Sequence, residues 1–181
     1  MRSPIYTGVQ SDGWVRRKAV YDIINDRDSL GQAALHICIK HSQPEAMKKM
    51  MSMPGVDVNL PGMGNYSPAV LAATKNEALC LQYLLDGGVD VNQQDSTLWT
   101  LLHHSTAQEA SGSLEVILHP NRRDVQVDLL NEEGHTPLMM ACIKNCPSMI
   151  CALVGAGANP SMVHRKSKQT CRDMCSTVEA R

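Results

Sequence analysis

Seven cysteines and seven histidines are the residues of this chain best suited to chemistry. The thiols are Cys38, Cys80, Cys142, Cys146, Cys151, Cys171 and Cys175. Cys142-x3-Cys146 and Cys171-x3-Cys175 have the spacing of one helical turn, which is open to a zinc pair. Cys142, Cys146 and Cys151 together could form a metal or redox sensor. Two features oppose this. There is no CxxC pair, and Asn145 and Pro147 should interrupt any helix joining Cys142 to Cys146. Cys38 and Cys142 instead fall at or beside slots that recur as small residues, where a thiol packs as a small hydrophobe. His103 and His104 are adjacent and must point to different helix faces, a poor arrangement for one metal. Glu132 and Glu133 pair two carboxylates on an expected turn tip, either solvated or facing a partner. Gly62-Met-Gly64 and Gly155-Ala-Gly157 lack the strand before, the helix after and the Lys-Ser/Thr of a phosphate loop. Neither His-Glu-x-x-His nor G-x-S-x-G occurs. The expectation is a chain with no catalytic residue, no resident metal, no cofactor and no small-molecule substrate.

Composition points the same way. A chain of 181 residues with 43% hydrophobic residues can bury a sizeable core. It has no Phe and only 3% aromatics, so that core must be aliphatic, with eleven Met as deformable filler. A net charge of −1 argues against nucleic acid as a partner. Met1 to Ser11 is polar and turn-rich, unlike a signal peptide, and no apolar run approaches membrane-spanning length. An odd set of thiols without a disulfide framework implies a reduced, intracellular chain, cytoplasmic and/or nuclear.

The elements that would position these residues recur. Leu35, Ala69, Leu102 and Leu138 mark one register at intervals of 34, 33 and 36 residues. The unit ends GVDVN (55–59), GVDVN (88–92), DVQVD (124–128) and GANPS (157–161) recur at 33, 36 and 33. Two marks sharing one period indicate stacked helix–turn–helix units. The fourth copy, NEEGHTPLMMACIKNCPSMICALVGAGANPS, resembles the ankyrin repeat, as does the LLDGGVDVN segment of the second. The resemblance spans about Asp28 to Ser161, some three quarters of the chain. It implies an all-α ankyrin-repeat solenoid of about four units with short projecting β-turns and partial capping units at both ends. The corresponding divisions are a lead-in at 1–13 and a capping helix at 14–27. Units follow at 28–60, 61–94, 95–130 and 131–161, and a degenerate cap at 162–181.

Motif positions carry mechanical reasons. Pro68 and Pro137 suit a first helical turn, Ser67 and Thr136 can cap it, and Gly88 and Gly157 suit a left-handed helix end. The resemblance implies that His36 and His103 tie successive turns together and are structural. The third unit departs most, with Leu98 at the turn glycine, Leu101 for proline, and about three extra residues near 110–120. Those extras imply either a loosened second helix or a lengthened loop. Asn65 stands at the turn glycine of the second unit and tolerates positive φ.

The resemblance also implies a concave face of first helices and projecting turns, free to bind a protein partner: a peptide, a helix or a domain. On it fall Met63, Tyr66, Thr74 and Lys75; Thr97, Trp99 and Gln108; Glu132, Glu133, His135 and Lys144; and Gln32, Lys40 and His41. Tyr66 and Trp99 occupy equivalent positions one unit apart, and exposed aromatics of this kind serve as anchors. The function implied is a non-catalytic interaction module, acting as adaptor, scaffold or regulatory inhibitor. Two alternatives remain open: the targeting domain of a larger enzyme such as a ubiquitin ligase or kinase, and a transcription regulator similar to the inhibitor-of-NF-kappa-B group.

Overall fold

Repeated caps and repeated left-handed turns set the architecture. A computed structural model of the chain describes residues 23–179. The expected lead-in and all but the end of the 14–27 helix lie outside the described residues; Ile23 and Ile24 are helical. The first pair is α1 (Ala34–Lys40) and α2 (Pro44–Met51), and the second α3 (Pro68–Lys75) and α4 (Ala78–Asp86). The third is α5 (Leu101–Ala107) and α6 (Ser111–Ile117), and the fourth α7 (Pro137–Ile143) and α8 (Pro147–Gly155). A last helix, α9 (Cys171–Glu179), packs on α7. First helices stack on first helices from α1 through α3 and α5 to α7, and second helices do likewise, so each pair buries its apolar faces against its neighbours.

Each first helix starts where a side chain relieves an orphan N–H. Ser67 Oγ accepts from Val70 N (3.3 Å), Thr100 Oγ1 from His103 N (3.4 Å) and Thr136 Oγ1 from Met139 N (3.2 Å). Pro68 and Pro137 occupy the first turn of α3 and α7, where no N–H is missed. Ala33 caps nothing; there the His36 ring accepts from Ala33 N instead (3.2 Å). Ahead of each helix the turn passes through positive φ at Gly31 (75°), Asn65 (63°), Leu98 (59°) and Gly134 (87°). The links inside each pair do the same at Ser42, Asn76, Glu109 and Asn145.

The GVDVN segments are turns, as expected, and the described residues contain no strand beyond one isolated bridge, Val163 to Thr170. Their valines plug the core, with Val89 and Val91 buried. Polar side chains at their edges cross-link the stack. Asn92 Nδ2 donates to Asp124 O (2.7 Å), and Asn92 Oδ1 accepts from Gln126 N (2.7 Å). The three extra residues lengthen the loop after α6, which runs from Leu118. Arg122 folds back from that loop to Asp86 (2.8 Å). At the C-terminal end Thr170 and Asp173 cap α9 reciprocally. Thr170 N donates to Asp173 Oδ2 (2.9 Å), and Asp173 N to Thr170 Oγ1 (3.4 Å).

Candidate protein-binding groove

The third turn is held by one carboxylate. Asp95 Oδ1 accepts from Thr97 N (2.9 Å), Thr97 Oγ1 (2.7 Å) and Trp99 N (2.9 Å). Oδ2 takes His104 Nε2 at 2.8 Å. Burial works against the Asp95 charge, but the donors of Thr97, Trp99 and His104 outweigh it and hold the carboxyl below its ordinary range. Burial lowers His104 as well, and the Asp95 bond and charge do not offset it. The pair is therefore a carboxylate receiving Nε2–H of a neutral imidazole, which leaves Nδ1 as an acceptor.

Aromatic rings gather on His104. Trp99 lies tilted across it at 5.1 Å between centroids, and Tyr66 of the preceding turn meets it edge-on at 5.7 Å. Tyr66 is 41% exposed, while Trp99 is half-buried because His103 and His104 support its ring. The two rings do not touch directly but are joined through His104, one unit to the next.

These residues line a groove of about 420 Å³ that crosses three consecutive turns. Of the residues expected on the face, Tyr66, Thr74, Thr97, Trp99, Gln108, Glu132 and Glu133 are brought together there. Met63 is exposed at the neighbouring turn tip but does not line it. Lys40, His41, Lys75 and Lys144 are exposed elsewhere on the first-helix ends, and Lys144 pairs with Glu109 at 3.4 Å. His135 does not line the groove. It stacks flat on His164 at 4.4 Å, and its Nδ1 meets Glu133 at 3.2 Å. Gln32 is corrected outright: it is only 6% exposed, in a turn whose Leu30 and Gln32 N–H groups close on Asp28, so it is not offered on the face. Asp95 and His104, with Gly64 and Asn65 of the second turn, are lining residues that sequence reasoning missed. An aspartate four residues before an aromatic at the turn was the available signal.

His36 and His103 tie turns as expected. Each accepts a backbone N–H on Nδ1 and so carries its proton on Nε2, which donates to Tyr66 O and His135 O, both at 3.1 Å. Burial lowers both, His103 from 6.5 to about 4. Among the described residues no group of three His, Cys, Asp or Glu is placed to hold a metal. The helix breaks between Cys142 and Cys146, which caps α8. The thiol neighbours of Cys142 are Cys171 and Cys175 on α9, and burial, reinforced by those two thiols, pushes the Cys142 thiol upward. Cys142 and Cys171 are buried and both are pushed upward by that burial, which suits packing better than nucleophilic chemistry.

Comparison with known sequences gives a consistent family. Residues 35–127 and, overlapping, 69–164 match the family described as ankyrin repeats (3 copies). The chain is 35% identical over 120 residues to ankyrin repeat domain-containing protein 37 of Xenopus tropicalis, covering 65% of this chain and 68% of that protein. It is 28% identical over 149 residues to the nuclear factor NF-kappa-B p105 subunit of Gallus gallus, covering 80% of this chain and only 15% of that protein. Among solved structures the ankyrin repeat domain of Bcl-3, described as a unique member of the IkappaB protein family, superposes with a TM-score of 0.74. That match has 21% identity and covers 87% of this chain and 74% of that one.

Proposed function

This chain belongs to the ankyrin repeat family, a family of protein-interaction modules, and from that premise we propose that it holds a protein partner in the groove across the second, third and fourth turns. One observation carries the reading. Tyr66, Trp99 and His104 form a continuous aromatic floor spanning two units, beside an open volume that the stack does not need for its own packing. Rigid rings at the centre of a depression are the usual anchors of a protein interface. The polar rim of Thr74, Thr97, Gln108, Glu132 and Glu133 supplies donors and acceptors around them. The module acts by binding alone, inside the cell, as adaptor, scaffold or regulatory inhibitor.

The test is to fill the groove without unfolding the stack. Tyr66→Ala with Gln108→Arg changes two exposed positions, so helical circular dichroism and the melting temperature should stay near the unaltered protein. Partner capture should be lost. Retention of the partner by the folded double variant would refute the groove. A second reading is favoured by the p105 and Bcl-3 similarities: a regulator of the IkappaB kind, acting on NF-kappa-B subunits. Capture of those subunits by purified protein distinguishes it from the targeting domain of a larger enzyme.

A further inference from the structure

We infer that the occupant of this groove is a cationic side chain of the partner, an arginine presented on an extended basic segment. The inference rests on the docking reading and adds the chemistry of the docked group.

Three observations converge on it. The lining carries three carboxylates, Asp95, Glu132 and Glu133, and neither a lysine nor an arginine. Asp95 is saturated by its own turn, but Glu132 has no side-chain hydrogen bond among the described residues. Among the described residues the Glu133 carboxylate meets only His135 Nδ1, at 3.2 Å. The groove thus holds acceptor capacity that the protein leaves unused.

The second observation is the His104 ring. It is 6% exposed, lines the groove, and gives Nε2–H to Asp95. Its Nδ1 has no partner among the described residues and, in this tautomer, can only accept. A side chain rich in donors and lacking acceptors answers that requirement, and guanidinium has five N–H donors and no acceptor. A carboxylate or phosphate would meet like charge from Glu132 and Glu133 and an acceptor that offers it nothing.

The third is the pair of rings. Tyr66 and Trp99 flank the same volume. A planar cation stacks on such faces and is attracted by their quadrupoles, which a neutral group of the same shape is not. Arginine satisfies rings and carboxylates together, with a fork that matches a carboxylate.

A short Gly/Ser peptide bearing one arginine, its citrulline counterpart and its lysine counterpart are titrated into the full chain and followed by heteronuclear NMR. The arginine peptide should shift the Trp99 indole N–H and the amides of 95–99 saturably. The citrulline peptide should bind roughly tenfold more weakly, and the lysine peptide in between. Glu132→Gln with Glu133→Gln, two exposed turn positions, should weaken the arginine peptide by roughly the same factor and flatten its salt dependence. Equal binding of citrulline and arginine, or shifts confined to other surfaces, overturns the cation assignment. The two proposals fail separately. If Tyr66→Ala/Gln108→Arg loses the partner while arginine peptides ignore the groove, only the cation is wrong. If that variant keeps the partner, the docking surface itself is wrong.

Discussion

The turns before α5 and α7 adopt the same backbone by different means. Before α7 the sequence is regular. Gly134 takes φ 87° at no steric cost, Pro137 opens the helix, and Asn131 Oδ1 needs to hold only His135 N (2.9 Å). Before α5 the glycine is Leu98, forced to φ 59°, and the proline is Leu101. Here Asp95 collects four donors where Asn131 collects one backbone N–H, and Thr100 and His103 cap each other. A turn that lost its local rules is held by a half-buried carboxylate and a buried imidazole. The same two groups support Trp99 and line the groove. Departure from the repeat pattern therefore marks where the scaffold has been rebuilt around a surface.

The sharpest way to break this comparison is to remove the clamps. Asp95→Ala strands His104 Nε2–H, two backbone N–H groups and the Thr97 hydroxyl, and should cost about 2–4 kcal/mol in urea unfolding. Asn131→Ala should cost about 1 kcal/mol. Equal losses would mean the third turn is not specially held.

Acid tests the same difference. A histidine kept neutral in the fold but free to charge when unfolded gives stability that is complete above pH 6.5 and is lost as pH falls toward its folded value. His103, at about 4, sets the window from 6.5 to 4, and His36 and His104 act in the same sense. Asp95, lowered in the fold, extends the loss below its ordinary range. The loss should reach about 3 kcal/mol. It should also be uneven, because Met139 replaces the tying histidine in α7. Amide exchange near pH 5 should rise in 100–108 before 136–143; simultaneous opening contradicts the account.

A smaller effect follows from the turn glycine. Leu98→Gly relieves a left-handed leucine and should stabilise by about 0.5–1 kcal/mol, while Gly134→Ala should destabilise by about 1 kcal/mol. The smallest is Lys144→Ala. Its ion pair with Glu109 is partly exposed, and its loss should change stability by under about 0.5 kcal/mol.

Much of the scaffold was legible because its requirements are local. The 33-to-36-residue period locates each first helix of the four pairs, Asn65 is a residue type that tolerates positive φ and it has φ 63°, and His36 and His103 tie turns as the family resemblance implies. What escaped is what the stack assembles from distant residues. Nothing in the string announces that Asp95 will meet His104, that His135 will stack on His164, or that Cys142 will face Cys171 and Cys175 and not Cys146. Gln32 and Tyr66 share a register position, yet one is buried and the other projects, because burial depends on neighbours that the repeat pattern does not specify.

The central claim, that the groove is the binding surface, meets its most direct test in site-specific photocrosslinking. A photoreactive phenylalanine analogue replaces exposed Gln108 at the groove or exposed Glu115 on α6, and each protein is irradiated in cell lysate with its partners bound. The account predicts a discrete crosslinked protein from position 108, competed away by unlabelled chain, and none from position 115. Crosslinking from 115 with silence at 108 would contradict it.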